Sequence, residues 1–468
     1  MSQPDKTIAL RKFGMRDKLA YAAGDFDCNM SFCLKGFMMI YWTQFMKLDS
    51  YIYAALLVVC QVWDAINDPV IGAMVDADHH KYKRNKFLQY IWVGSIGLIV
   101  AGALCFLPFP NLHSVAKGLL FVCGYVFWDA FYTIANVPYG SMLPLITEDA
   151  AERAQLSTWR SAGATIAGLA TGMLMPVIIY DSANNLKGGQ MWIIALVMGI
   201  LGFIGFQFLL KNTTIRVNTE IRAGEDAPKF NVINAIKNFC KNRAVLGTTL
   251  AACSMFLSMY GASAASTVMF QAYYKNAKIS GIMQLVTMLP MFVFMPFIAT
   301  IVRKWGKKEA ASAGALFSVF ACVLMVVLPI GPNGTGVMLY ILCQFLNGLG
   351  MGIGQCISYS MTADAIDYNE WMFGVRDEGT IYALHSFFRK LAQGVGPSLG
   401  LVIATMLGYV ASQGPNQTPE VALTMRYVVA VYYLVGAILF WISYKVIYNL
   451  DKKTVETMKE ELSARHSA

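Results

Sequence analysis

An all-α membrane protein, with twelve transmembrane helices in two six-helix halves, is the architecture the sequence predicts, and three observations predict it. The first is composition: 56% of the 468 residues are hydrophobic and only 14% are charged, against roughly 25% charged in soluble domains. The second is spacing. Apolar stretches long enough to cross a bilayer recur along the whole chain, near 20–46, 51–75, 87–108, 115–144, 158–180, 190–210, 245–272, 280–302, 309–330, 337–363, 381–410 and 423–449. The third is the alternating charge of the segments between them. One set holds Lys12, Arg16 and Lys18, then Lys81 to Lys86, Lys211 to Arg243, Arg303 to Lys308, and Lys452 and Lys453. The opposite set holds little beyond Lys47, Lys117, Lys187, Lys275, Lys278 and Arg426.

That alternation places both termini in the cytoplasm, which independently requires an even number of spans. It also accounts for the net charge of +9 as membrane topology, so no nucleic-acid partner is expected. The ten cysteines include no CxxC pair and read as small buried hydrophobes. The five histidines show no ligand spacing. A charged tail of about eighteen residues precedes a first apolar segment too long for a signal-peptide core, so the N-terminus is expected to be retained.

Four parts are expected: an N-terminal six-helix half over 1–210, a cytoplasmic linker over 211–244, a C-terminal six-helix half over 245–450 and a cytoplasmic tail over 451–468. In the linker, Phe230, Ile233, Ile236 and Phe239 recur at helical spacing among Lys and Asn, which suggests an amphipathic helix lying on the membrane. Arg303 to Lys308 occupies the same place in the second half as Lys81 to Lys86 in the first, a weak internal repeat.

The first span opens with Asp25 and Asn29 one turn apart, able to share a cavity, whereas Asp27 points elsewhere and is assigned to the interface. The second span carries Asp64, Asn67 and Asp68 at i, i+3 and i+4, so their oxygens share one helix face. A carboxylate at the centre of such a helix costs at least ~3 kcal/mol on insertion scales. Two carboxylates and an amide oxygen converging there make a site for a small cation, or a proton relay. The blander reading is a hydrated helix end.

The fourth span repeats the theme with Asp129, Thr133, Asn136 and Gly140 on one stripe. Helix–helix hydrogen bonding is the alternative there. Arg160 stands at the mouth of the fifth span, as an anchor or as a fork of donors toward a polyhydroxylated or anionic ligand. After the tenth span, Asp364, Asp367, Glu370, Arg376 and Glu378 form a mixed-charge cluster, expected to be a cytoplasmic gate network. Arg389 and Lys390 in the eleventh span point about 100° apart, so at most one faces a cavity squarely. No phosphate-binding loop occurs, so nucleotide hydrolysis is not the energy source.

The motifs Trp63 to Pro69, Tyr132-Thr133 with Asn136 to Gly140, Asp367-Tyr368 with Glu370-Trp371, and the run from Arg376 to Lys390 resemble the glycoside-pentoside-hexuronide:cation symporters of the major facilitator fold. The resemblance runs from Lys18 to about Leu450. It implies a coupling-cation site, for Na⁺ or H⁺, at Asp64, Asn67, Asp68 and Thr133, with Na⁺ held between Asp64 and Asp68. It implies a sugar site at Asn29, Asn136, Arg160 and Lys390; the one-turn spacing from Asn29 adds Asp25 as a further candidate. The melibiose-carrier branch has aspartates at the positions of Asn29 and Asn136 and a tryptophan at that of Gly140. The stretches from Asn136 to Gly140 and from Arg376 to Lys390, and Thr418-Pro419-Glu420, look closer to the glucuronide-carrier branch.

The expected function is therefore glycoside:cation symport across the cytoplasmic membrane, with an anionic sugar such as a glucuronide as candidate substrate. An exchanger or exporter of a sulfonated or carboxylated sugar metabolite, and a neutral glycoside or pentoside symporter, are the alternatives. A membrane-embedded enzyme would need a nucleophile–base pair or a metal centre, and the sequence offers neither. A lipid-moving relative would replace the hydrophilic contacts by an apolar groove. No cofactor is expected beyond the coupling cation, and the protein is expected to work as a monomer.

Overall fold

The computed structural model describes residues 11–78, 80, 82, 85–147, 149–216, 237, 239–294, 297–374 and 378–467. Apart from one isolated bridge between Tyr180 and Leu186, the described residues form helices and no strand. In chain order the helices are α1 (Met15–Ile40), α2 (Ser50–Ala77), α3 (Lys86–Leu104), α4 (Ser114–Ser141), the short α5 (Leu143–Ile146), α6 (Ala150–Ile179) and α7 (Met191–Asn212). There follow α8 (Arg243–Val268), α9 (Ile279–Phe294), the short α10 (Ile298–Trp305), α11 (Lys307–Val327), α12 (Gly334–Phe373), α13 (Glu378–Met406), α14 (Pro419–Ile442) and α15 (Lys452–Ser467).

Local chemistry explains where many of them begin. Side-chain oxygens of Asp49, Asn85, Asn242, Asn333 and Thr418 accept backbone N–H groups in the first turns of α2, α3, α8, α12 and α14. These are donors that a helix start leaves without an internal partner. Pro419 follows Thr418 at the first position of α14, where a missing N–H costs nothing. At the other end, α12 stops at Gly374, whose φ of 70° closes the helix with its N–H on the Glu370 carbonyl. Lys86 folds its ammonium back onto the Val75 carbonyl near the end of α2. In the same loop the His80 N–H and the hydroxyls of Tyr82 and Tyr90 hold the Asp78 carboxyl down to about 2, so it stays charged well into the acid range.

Among the described residues nine helical stretches are long and apolar enough to cross a membrane. The other long helices expected to span, α1, α9 and α13, lie outside those nine. Asp25, Asp27 and Lys35 interrupt α1; His385, Arg389 and Lys390 interrupt α13; and α9, at 16 residues, is shorter than a span needs.

The chain divides into two compact units: one of Met1–Trp42, Trp63–Gly172 and Lys187–Asp226, the other of Thr43–Val62, Met173–Leu186 and Ala227–Ala468. In the first, α1 packs on α7, and α3 on both α4 and α7. In the second, α8 packs on α14, and α11 on both α12 and α14. The pairing of the first, third, fourth and sixth long helices is thus repeated, as two copies of one six-helix plan require. Within the second unit, Gln44 donates to Gln271 and to the Tyr409 hydroxyl, and Asn184 donates to the Lys275 carbonyl. The charged tail forms α15 and packs on α12, with Met458 and Leu462 buried. Most of the linker, including Phe230, Ile233 and Ile236 of its expected amphipathic helix, lies outside the described residues.

Two glycine contacts set the rotation of the polar helices in the first unit. A Cβ on Gly94 of α3 would stand 2.7 Å from the backbone nitrogen of Ala135 on α4, and one on Gly163 of α6 would stand 2.1 Å from the carbonyl oxygen of Ala22 on α1. Neither gap admits a side chain, so the backbones touch. At the start of α1, buried Asp17 accepts from Arg11 at 2.6 Å and Arg216 at 3.0 Å, while Arg16 donates to Asn212 at the end of α7. Gly163→Val should push α6 from α1 and destabilise the protein by about 1–3 kcal/mol, as overpacking does. A lower thermal midpoint in detergent, with Gly168→Ala unchanged because nothing lies within 4 Å of that position, is the expected result.

Candidate functional site

The carboxylate face of α2 meets the polar stripe of α4. The Asn67 amide nitrogen donates to Asp129 Oδ2 at 3.1 Å and to Thr133 Oγ1 at 3.0 Å. The Thr133 hydroxyl in turn donates to Asp68 Oδ1 at 3.0 Å. Asn67, Asp129 and Thr133 are each at most 2% exposed. The hydroxyl is therefore a relay with a fixed direction, accepting from the amide and donating to the carboxylate. Of the four candidate cation-site residues, Asn67, Asp68 and Thr133 are hydrogen-bonded together, and Asp129 joins them from the second stripe.

The fourth, Asp64, engages a different partner. Its Oδ2 lies 3.3 Å from the Lys35 ammonium on α1, with side-chain exposures of 14% and 15%. Lys35 also stands 5.5, 5.2 and 6.0 Å from the ring centres of Phe32, Tyr125 and Trp128. Sequence reasoning missed this lysine. The signal was present, a lone cation far inside the first apolar span, which calls for an acidic partner. Among the described residues no group of three His, Cys, Asp or Glu side chains converges as a metal centre would. A small cation here would rest on two carboxylates and neutral oxygens.

The sugar-site candidates of α1 and α6 also meet. Asn29 donates its amide to the Asp25 carbonyl at 2.8 Å and to Asp25 Oδ2 at 3.3 Å, and Arg160 Nε donates to Asp25 Oδ1 at 3.0 Å. The Arg160 guanidinium lies 5.0 Å from the Tyr139 ring, and the Tyr139 hydroxyl is tied to the Tyr21 carbonyl at 2.6 Å. A Cβ at Gly140 would point at Arg160, 3.7 Å from its Nη1, so a tryptophan at that position would cover the guanidinium. Asn136 is half-buried, and its amide makes no hydrogen bond among the described residues. Lys390 is half-buried on α13, and its neighbour Arg389 lies 5.5 Å over the Phe256 ring.

Asp27 departs from expectation. It is 1% exposed, not interfacial, and its oxygens have no hydrogen-bond partner among the described residues. The α7 glycines make room for it: a Cβ at Gly205 would fall 2.1 Å from its Oδ1. Helical period gave its direction correctly but not the fact that another helix covers that face.

The expected gate cluster is held within its own unit. Asp364 pairs with Lys307 at 2.6 Å, Asn242 donates to Asn369 and to the Ala365 carbonyl, and Trp371 donates to Glu461 of α15. Asp367 and Glu370 are half-buried. Arg376 lies outside the described residues, as does the side chain of Glu378.

Thr133→Ala should strand the Asn67 amide and remove a donor from Asp68, at about 1–3 kcal/mol for a buried polar group left unmatched. Thr133→Ser should restore the thermal midpoint, because only the hydroxyl is needed.

Comparisons with known proteins agree with this architecture. The family described as MFS/sugar transport protein matches residues 20–452. The isoprimeverose transporter of Lactiplantibacillus pentosus is 26% identical over 91% of this chain and 88% of its own. The glucuronide carrier protein homolog of Escherichia coli (strain K12) is 24% identical over 96% of both. Among solved structures, a bacterial homolog of the human lysosomal transporter Spinster superposes with a TM-score of 0.62, at 12% identity, covering 92% of this chain and 96% of that one. These relatives bear out the resemblance to glycoside-pentoside-hexuronide:cation symporters. The chain belongs to the MFS/sugar transport family and is a multi-pass membrane transporter of sugars or glycosides, not an enzyme.

Proposed function

We propose that the protein is a glycoside:cation symporter of the cytoplasmic membrane, with both termini in the cytoplasm, coupling sugar entry to Na⁺ or H⁺. The observation that carries this reading is the Asp68–Thr133–Asn67–Asp129 chain beside Asp64. Intramembrane carboxylates are costly and mark ion pathways. A cation bound there neutralises charge that the apolar surroundings penalise, and so favours the loaded carrier's reorientation. The sugar-binding residues on this reading are Asn29, Asn136, Arg160 and Lys390.

An anionic sugar is the preferred substrate. Amides stand at Asn29 and Asn136, while Arg160 and Lys390 supply positive charge. In a partly desolvated cavity a favourable charge contact at ~4 Å is worth about 4 kcal/mol at an effective dielectric near 20. One observation favours the neutral-glycoside reading: Asp25 already holds Arg160 Nε at 3.0 Å and offsets part of its charge. The guanidinium's side chain nevertheless stays 34% exposed, which leaves donors free for a ligand.

Competition decides between these. A glucuronide should displace bound ligand at least tenfold better than the matched glucoside; the reverse ranking replaces the anionic substrate by a neutral one. Coupling is tested by Asp68→Asn, which removes a charge at nearly constant shape. Accumulation driven by a Na⁺ or pH gradient in vesicles should collapse while exchange of substrate survives. Full accumulation by that variant would remove Asp68 from the cation site.

A further inference from the structure

The two carboxylates on the α2 face are not equivalent. Asp68 accepts from the Thr133 hydroxyl, a neutral donor, at 3.0 Å. Asp64 faces a permanent cation, the Lys35 ammonium at 3.3 Å. Lys35 is held in place by aromatic faces rather than by a web of hydrogen bonds. Asp64 is its one hydrogen-bond acceptor among the described residues, and the ring centres of Phe32, Tyr125 and Trp128 lie 5.5, 5.2 and 6.0 Å from its ammonium. Those rings are themselves fixed: the Trp128 indole donates to Ser31 at 2.9 Å and stacks on Tyr132. An aromatic wall stabilises an ammonium without claiming it by charge, so the lysine can leave the carboxylate and still have a place to rest.

We propose that Lys35 is a tethered substitute for the coupling cation: it occupies Asp64 in the empty carrier and yields it to an alkali cation when one binds. The inference rests on the symport reading above and adds how the empty carrier manages its charge. An uncompensated Asp64 carboxylate would make the return of the unloaded carrier unfavourable in an apolar surround. With Lys35 on Asp64, that charge is neutralised by the protein itself. The arriving cation must then compete with the ammonium, which raises the concentration it needs. Lys35 is a positioning residue for the cation cycle and is given no contact with the sugar.

The test uses Lys35→Met, which keeps the apolar stem within the aromatic wall, and Lys35→Arg, which keeps the charge. Purified full-length protein is titrated with Na⁺ and with Li⁺ at fixed pH, reading tryptophan fluorescence and binding of a labelled glycoside. The same proteins in vesicles are assayed for exchange and for net uptake. Lys35→Met should lower the half-saturating cation concentration about tenfold. It should keep exchange, in which the carrier never returns empty, and lose net uptake at least tenfold. Lys35→Arg should stay within about threefold of wild type in all three. An unchanged or raised cation requirement in Lys35→Met overturns the inference while leaving symport in place. Exchange and net uptake falling together overturns it likewise, since the lysine would then be structural. A wild-type protein indifferent to Na⁺ and Li⁺ overturns the alkali-cation role outright, and gradient-free uptake would overturn the symport reading with it.

Discussion

Charge buried among apolar helices is costly unless it is matched, and that constraint organises much of this molecule. Taking one partner from a buried ion pair leaves the other uncompensated, which costs more than the pair contributes when intact. The pairs Asp17 with Arg11 and Arg216, Asp25 with Arg160, Asp64 with Lys35, and Asp364 with Lys307 each join different helices or segments. Each pair therefore specifies which helix faces which, in a setting where the apolar surfaces themselves discriminate little.

Function follows from the same constraint. A site whose charges are already matched internally responds to a ligand only by exchanging partners. Asp68 and Asp129 are linked through the Asn67 amide, which donates to Asp129 and to the Thr133 hydroxyl, and that hydroxyl, which donates to Asp68. On the proposed reading the amide and hydroxyl oxygens turn to a cation. Asp25 shares its oxygens between Asn29 and Arg160, so in the proposed sugar site a ligand would compete for donors that are already oriented. The close backbone contacts at Gly94 and Gly163 bring α3 against α4 and α6 against α1 behind these groups.

Much of the fold was legible because it depends on one-dimensional signals. Apolar length and loop charge marked the spans, and Asn85, Asn242, Asn333 and Thr418 sit where side-chain oxygens start helices. The face shared by Asp64, Asn67 and Asp68 was legible for the same reason, since the helical period alone aligns them. Lys35 was overlooked because its partner is 29 residues away on another helix, a relation that no spacing rule expresses. Asp27 was assigned to the interface because the period shows which way a side chain points and not what lies there. The space it fills exists only because Gly205 has no side chain.

By itself, then, the sequence determined the membrane class, the succession of helices and the polar face each one carries, because hydropathy and the 3.6-residue period are properties of neighbouring residues. The pairing of those faces came from the assembled helices. Whether Asp64 meets Lys35 or joins Asp68, and whether Asp25 or a ligand holds Arg160, depends on the depth and rotation of four helices at once. Those are set by backbone contacts at glycines and by ion pairs such as Asp64 with Lys35 and Asp25 with Arg160, and both exist only after the chain has folded.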